Sequence, residues 1–295
     1  MLLPMIDLCW LKFIRAFGLV MQLAEESRVI MMLISCTMAV AFILNLYSGR
    51  TIFQDVVNAV GNRRLEMKLA KQPSPITIPE SNMIKRQLKM PLHWTYYEDL
   101  PMATVLENNG STVIMRIYTA NNFMPQLSGA ELLGRYQFVE AIFKWGSLKS
   151  EHSIGKHNFC LELQALHRCA QLNNNFEYLT LSYLFALSHV KNEHLKQVTD
   201  HLKWISQPGS SIELPPFHLE SLLQPFGSGY FSYEGTYDNG DVVLPTTWLI
   251  NRKISVVDSR QLSEFEALYG RNGNRNCKNG REKQPLGNRN VYFNI

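Results

Sequence analysis

The stretch YQFVEAIFKWGS at residues 136–147 decides the fold, together with the shorter stretch ELQALH at residues 162–167. Apolar and polar residues alternate along 137–145 and 159–167, as they do in a β-strand with one buried face. Gly146-Ser147 provides a turn signal directly after the first of these runs. Because side chains of a strand alternate between two faces, residues 140, 142 and 144 are predicted to share one face, as are residues 162 and 164.

Strand-like runs recur through the rest of the body, at residues 76–78, 92–96, 112–118, 178–187 and 241–250. Two helices interrupt them. Apolar residues repeat at helical spacing over 193–205, and a second helix is predicted from Asp258 to about Leu268, where Gln261 completes a capping-box pattern with Asp258. The pattern therefore predicts one β-dominated domain with peripheral helices.

Composition restricts the functions that this chain can have. It has 295 residues, of which 46% are hydrophobic, so it can bury one large core or two modest ones. The net charge is only +4 and no run of Lys or Arg concentrates it, which argues against a nucleic-acid partner. Five cysteines, three of them in the body, do not form a disulfide framework, and we expect Cys160, Cys169 and Cys277 to be buried free thiols.

The N-terminal region differs from the body. Residues 29–47 read VIMMLISCTMAVAFILNLY, without a charge and long enough for a transmembrane helix. We expect a tail at 1–28, a membrane anchor at 29–47, a linker at 48–71 and a domain at 72–295, with the body extracellular or luminal. A cleaved signal peptide, which would give a secreted protein, and a buried core helix are the alternatives.

Seven short sequence motifs, which occur in the same order and at compatible spacing, resemble those of the α-class carbonic anhydrases over about residues 72–293. They are SPITI at 74–78, LENNG at 106–110, YQFVEAIFKWGS at 136–147, SEHSI at 150–154, ELQALH at 162–167, the region 230–248 that ends on Thr-Trp, and QPLGNR at 284–289. The resemblance implies a mainly β fold with a large central, twisted and mostly antiparallel sheet and peripheral helices.

In that family three histidines hold a zinc ion, which lowers the pKa of its bound water to about 7. The resemblance places Ile142, Lys144 and Gln164 at these three positions. Isoleucine has no ligand atom, an ammonium opposes a dication, and a neutral amide oxygen is a poor zinc ligand. We therefore expect no zinc and no other cofactor.

The surrounding positions of the resemblance are also altered. Glu151 keeps the family's gate glutamate, but Asp238 and Asn239 replace the threonine and its successor. Ser111 stands at the proton-shuttle histidine and cannot carry protons near pH 7. Glu140 occupies a glutamine position, whereas Glu162 keeps the glutamate that orients the third ligand.

The residues offer two other arrangements that could bind a metal ion. His152, His157 and His167 could rebuild a histidine site, but His167 faces away from Gln164 because their separation along the strand is odd. The acidic residues could hold a hard cation, which Lys144 in their midst opposes. The simpler interpretation is that the Lys144 ammonium replaces the zinc charge and pairs with one of four carboxylates, those of Glu140, Glu151, Glu162 and Asp238.

These observations predict a catalytically silent, carbonic-anhydrase-related domain that acts as a binding module for a protein partner. The alternative is an enzyme with residual hydration, or with a hydrolytic activity that uses Asp238 and Glu151. Asn109-Gly110-Ser111 is an N-glycosylation sequon at the predicted pocket rim.

Overall fold

The computed structural model describes residues 73–120, 123–147, 149–170 and 177–295. The predicted tail, the anchor at 29–47 and the linker lie outside the described residues. The strands are β1 (Thr77–Ile78), β2 (Ile84–Arg86), β3 (Leu92–Thr95), β4 (Ala103–Asn108), β5 (Val113–Tyr118), β6 (Gln126–Gly129), β7 (Tyr136–Trp145), β8 (Ser153–Ile154), β9 (His157–Asn158), β10 (Leu161–Arg168), β11 (Tyr178–Ser188), β12 (Ser211–Leu214), β13 (Tyr230–Asp238), β14 (Val243–Asn251), β15 (Ser255–Asp258) and β16 (Tyr292–Asn294).

One large sheet organises the described residues, in the order β12-β4-β5-β7-β10-β11-β14-β13-β16-β2. β15 pairs with β11, and β3 joins through β6 to β7, while β1, β8 and β9 form a separate small sheet. Most neighbours are antiparallel, and the parallel pairs of the large sheet are β11 with β14 and β15, and β16 with β2. The prediction of a mainly β, mostly antiparallel architecture is confirmed.

The helices are short and peripheral: α1 (Glu193–Thr199), α2 (Leu219–Leu222) and α3 (Ser259–Glu266), with a 3₁₀ turn at Leu202–Ile205. The single helix predicted over 193–205 was wrong, because the hydrogen bonds change after α1 from four-residue to three-residue spacing, as in His201 N–H to Val198 O. The predicted capping box of Asp258 and Gln261 is confirmed at the start of α3.

One prominent strand escaped the sequence patterns. β13 spans Tyr230–Asp238, within the region 230–248 that was noted only for its resemblance to the family, and it pairs along its whole length with β14. Its tyrosines are buried: Tyr233 and Tyr237 contribute to two of the hydrophobic clusters. Burial on both faces removes the strict apolar and polar alternation by which a half-exposed strand is found.

The pleat of β7 and β10 separates the core from the candidate site. Phe143 and Trp145 point to the main core, where their rings lie 5.2 and 5.4 Å from the ring of Phe265 in α3. The residues that alternate with them, Ile142 and Lys144, point to the opposite face. Of the three cysteines of the body, Cys160 and Cys169 are buried free thiols as predicted, but Cys277 is exposed because it lies in the irregular segment between α3 and β16.

Candidate functional site

The register of β7 and β10 brings the predicted site residues together. The strands are antiparallel, with Glu162 opposite Lys144 and Gln164 opposite Ile142. Cross-strand partners on one face have Cβ atoms about 5 Å apart, so these four side chains form one patch. The shared face predicted from strand alternation is confirmed.

Ile142 belongs to a small apolar cluster. Its side chain is fully buried together with Ile114, Leu166 and Tyr237. The position therefore offers hydrocarbon contacts and no ligand atom. Any polar ligand group at this point would have to be desolvated by the same cluster.

Lys144 forms the ion pair that the sequence predicted. Its Nζ lies 3.6 Å from Oε1 of Glu151, and the two side chains are only 4% and 0% exposed. Among the described carboxylates, Glu151 is the one within 4 Å, so the pairing predicted with at least one of four acids is confirmed for that one. At 3.6 Å the contact is an ion pair without a close hydrogen bond.

A second cation at Glu151, which the sequence analysis missed, binds the carboxylate more closely. Arg281 donates from Nε to Oε1 and from Nη2 to Oε2 of Glu151, both at 2.8 Å, which is the bidentate geometry of a strong pair. Its Nη1 also lies 3.7 Å from Oδ2 of Asp238. Burial alone would raise the pKa of Glu151, but the charges of Lys144 and Arg281, with hydrogen bonds from Arg281 and Gln164, hold that pKa well below its usual range.

The residues before Arg281 explain how an irregular segment places it. Asn279 accepts from the backbone N–H of Trp145 at 2.7 Å and donates to the carbonyl oxygen of Phe143 at 2.9 Å, which fixes the segment to the end of β7. A Cβ at Gly280 would lie 1.7 Å from the carbonyl oxygen of Ser150, so only glycine permits this close approach. An Asn-Gly pair that precedes an arginine is the only signal the sequence offered.

Gln164 connects the two buried carboxylates. Its Nε2 donates to Oε2 of Glu151 and to Oε1 of Glu162, each at 2.9 Å. Its Oε1 is buried and has no hydrogen-bond partner among the described residues. The amide thus acts here as a donor to carboxylates, which is opposite to the role of a metal ligand.

Glu162 is satisfied by several donors. It accepts from the backbone N–H of His152 at 2.8 Å, from Ser182 Oγ at 2.8 Å and from Gln164, and it pairs with His152 Nδ1 at 2.7 Å. The other ring nitrogen of His152 is 2.6 Å from the hydroxyl of Tyr233. Both nitrogens of His152 are therefore engaged within the fold.

A family model described as eukaryotic-type carbonic anhydrase matches residues 64–295 of this chain. The chain belongs to the carbonic anhydrase family. Carbonic anhydrase 15 of Mus musculus is 25% identical over 239 residues, which cover 74% of each protein. Carbonic anhydrase 5B, mitochondrial, of Homo sapiens is 27% identical over 198 residues, or 62% of each chain. Carbonic anhydrase 1 of Monodelphis domestica is 27% identical over 179 residues, covering 56% of this chain and 68% of that one.

The three histidines considered as a rebuilt site are dispersed over this carbonic anhydrase domain. His157 is exposed on β9, whereas His167 lies on the core side of β10. His167 pairs with the hydroxyl of Tyr97 and with the carbonyl oxygen of Ala165, and burial lowers its pKa to about 3. Within the described ranges, no three His, Cys, Asp or Glu side chains lie close enough together to hold a metal ion.

The side chains at the three zinc-ligand positions of the resemblance do not fit a zinc ion. Ile142 lies in a hydrocarbon cluster, Lys144 carries an ammonium beside Glu151, and Gln164 turns its NH₂ group toward two carboxylates. Zinc in proteins is bound by thiolate, imidazole or carboxylate groups in a tetrahedral arrangement. Two buried acids lie beside these positions, and both are already bound: Glu151 by Arg281, and Glu162 by His152 and Ser182.

The rim of the site holds the remaining predicted residues. Glu140 accepts from Tyr237 Oη at 2.9 Å and from Asn239 Nδ2 at 2.7 Å, and it pairs with Arg116 at 3.0 Å. Asp238, the last residue of β13, is 24% exposed and lies 3.7 Å from Nη1 of Arg281. Ser111 packs against Gly240: a Cβ added to Gly240 would lie 2.2 Å from the Cβ of Ser111.

Asn109, the sequon asparagine, is engaged in the same rim. Its Nδ2 donates to the carbonyl oxygen of Asn239 at 2.8 Å and to Oδ2 of Asp241 at 2.7 Å. Its Oδ1 accepts from the backbone N–H groups of Ser111 and Thr112. A glycan on Nδ2 would leave this nitrogen a single N–H, so at least one of the two donated bonds would be lost. In the part of the chain that the structure describes, no helix is long and apolar enough to cross a membrane.

Proposed function

We propose that this carbonic anhydrase domain does not hydrate carbon dioxide and acts instead as a binding module for a protein partner. The proposal includes a membrane anchor at residues 29–47 and an extracellular or luminal body. The observation that carries it is the ion-pair network in which Lys144 and Arg281 bind Glu151 where the family relies on a metal.

Two arguments support the loss of hydration. A zinc hydroxide requires ligands that hold the ion and leave one position open for water, and the three side chains present provide no such set. The electrostatics also oppose a metal, because a dication would enter beside an ammonium and a guanidinium that already neutralise Glu151.

The hydrolytic alternative receives less support from the geometry. A general base must be available to the substrate at a suitable pKa. Glu151 is fully buried, has its pKa well lowered and has both oxygens bound by Arg281. Asp238 is partly exposed but also faces Arg281, which would compete with any substrate cation for it.

The test is stopped-flow hydration of carbon dioxide by the full-length chain, with metal content measured on the same sample. We expect a rate equal to that of buffer and far less than one zinc per chain. A rate above buffer that a sulfonamide inhibits, or zinc at one atom per chain, would contradict the proposal.

A gain-of-function control makes the negative result informative. Ile142→His, Lys144→His and Gln164→His together restore the family's ligand types, and Arg281→Gln in addition removes the competing guanidinium. We expect the fourfold variant to retain zinc better than the triple variant. If the triple variant alone binds zinc at one per chain, then Arg281 does not oppose the metal as argued.

A further inference from the structure

A groove of about 620 Å³ lies along β13 and β16, and none of the residues that surround Glu151 lines it. Its volume is in the range of sites that bind small organic molecules. It has a buried apolar floor, which includes Tyr136, Leu179, Tyr230 and Leu249. At the rim, Leu133 is 63% exposed and gives a ligand a further apolar contact.

Four charged side chains line the groove: Arg86, Glu131, Glu234 and Arg289. Arg289 donates to the carbonyl oxygens of Pro73 and Pro285, and Glu234 also has a partner, which leaves Arg86 and Glu131 as the two opposite charges to consider. The Arg86 guanidinium is stacked at 3.9 Å over the ring of Tyr292, which holds it at the groove. Glu131 lines the same groove. The described residues give neither side chain a hydrogen bond or an ion pair, so both charges are available to a ligand.

The two charges act on one common point, the hydroxyl of Tyr230. The pKa of Tyr230 is raised to about 12, mainly by burial; the charge of Arg86 acts to lower this pKa and that of Glu131 acts to raise it. Each charge is therefore near the same phenol, yet the two do not pair with each other. A ligand between them would be complementary only if it carried both signs.

We propose that this groove binds a small zwitterion with an aromatic or branched apolar body, of the size of a dipeptide. Its carboxylate pairs with Arg86, its ammonium pairs with Glu131, and its apolar body lies on the tyrosine and leucine floor. Guanidinium is the side chain best suited to a carboxylate, because its donors match the two oxygens. The site does not depend on whether the domain hydrates carbon dioxide.

The test is to measure, by isothermal titration calorimetry, the affinity of the full-length chain for three peptides: L-leucyl-L-phenylalanine, its N-acetyl form and its C-terminal amide. We expect the free dipeptide to bind, and each modified peptide to bind about fivefold more weakly, the effect of one exposed ion pair. In Arg86→Gln, amidation should no longer weaken binding. In Glu131→Gln, acetylation should no longer weaken it.

Lys85→Gln is the matched control, because it removes a positive charge from the neighbouring, exposed position of β2. It should leave all three affinities and their ratios unchanged. The proposal is overturned if the free dipeptide shows no saturable binding up to about 5 mM, or if acetylation and amidation have the same effect in both variants as in the wild type. All three substitutions are on the surface, and an unchanged melting temperature will show that the variants are folded.

Discussion

Replacement of Arg281 by methionine should destabilise the domain more than replacement of Lys144. Arg281→Met leaves Glu151 fully buried, with Lys144 at 3.6 Å, the Gln164 amide and the backbone N–H of residue 281 at 3.3 Å as its remaining partners. Removal of one member of a buried, hydrogen-bonded ion pair typically costs about 3–5 kcal/mol, since the other charge is left uncompensated. We expect a loss of this size in the free energy of unfolding at pH 7.

Lys144→Met should cost less, about 1–2 kcal/mol. An opposite charge near 4 Å is worth about 4 kcal/mol at an effective dielectric constant of 20, but burial of the ammonium offsets most of this gain. Glu151 also keeps both bonds from Arg281 in this variant. The combination of Arg281→Met with Glu151→Gln removes both ends of the pair and should recover much of the loss.

Urea unfolding of the full-length chain, followed by tryptophan fluorescence, measures these differences. Lys149→Met is the control, because it breaks an exposed pair with Glu282 and should change little. The pH dependence gives an independent check. A lowered pKa of Glu151 contributes stability above about pH 4.5 that is lost as pH falls toward the folded-state value.

In Arg281→Met, burial should dominate and raise the pKa of Glu151, so the deficit relative to wild type should shrink as pH falls and the carboxyl is protonated. The reasoning is refuted if Lys144→Met costs as much as Arg281→Met, or if the deficit of Arg281→Met is the same at pH 5 and pH 7.

Three further outcomes are expected. Because the pKa of buried His167 is about 3, stability should fall by about 1.4 kcal/mol per pH unit below pH 6.5 from this residue alone, and urea titrations of His167→Gln should lack that slope. Gly280→Ala should lower the melting temperature by several degrees, because the added Cβ would overlap the Ser150 carbonyl and displace the segment that carries Arg281. Gly273→Ala is the control: its added Cβ would have no atom within 4 Å, so it should show only the smaller cost of a positive φ. Residues 29–47 should keep the full-length protein in membranes during carbonate extraction, and deletion of them should release it; a body recovered from the medium with a new N-terminus near Ser48 would favour a signal peptide.

The parts of the site that the sequence predicted share a simple periodicity. Strand alternation depends only on counting, so the common face of Ile142 and Lys144 follows from residue numbers once β7 is recognised. The Lys144 ion pair followed from charge balance, because an ammonium on a buried face requires a carboxylate.

Arg281 could not be found in the same way. It belongs to an irregular segment rich in Asn and Gly, where no period connects position in the sequence to position in space. Its placement depends on the long-range bonds of Asn279 and on the absence of a Cβ at Gly280. Strand β13 was missed for a related reason: both of its faces are buried, so its sequence lacks the alternation of apolar and polar residues.

The same network explains why a single substitution toward a metal site would be unfavourable. Gln164 gives one N–H to each of two buried carboxylates, and a neutral histidine has a single N–H. A histidine at this position would therefore leave Glu151 or Glu162 short of a donor, while Arg281 still bound the nearest acid. Ile142 has to leave an apolar cluster in addition, so each step toward zinc loses packing or hydrogen bonds before any metal can bind. We therefore expect the ion pairs at Glu151 to oppose substitutions of Ile142, Lys144 or Gln164 toward metal ligands.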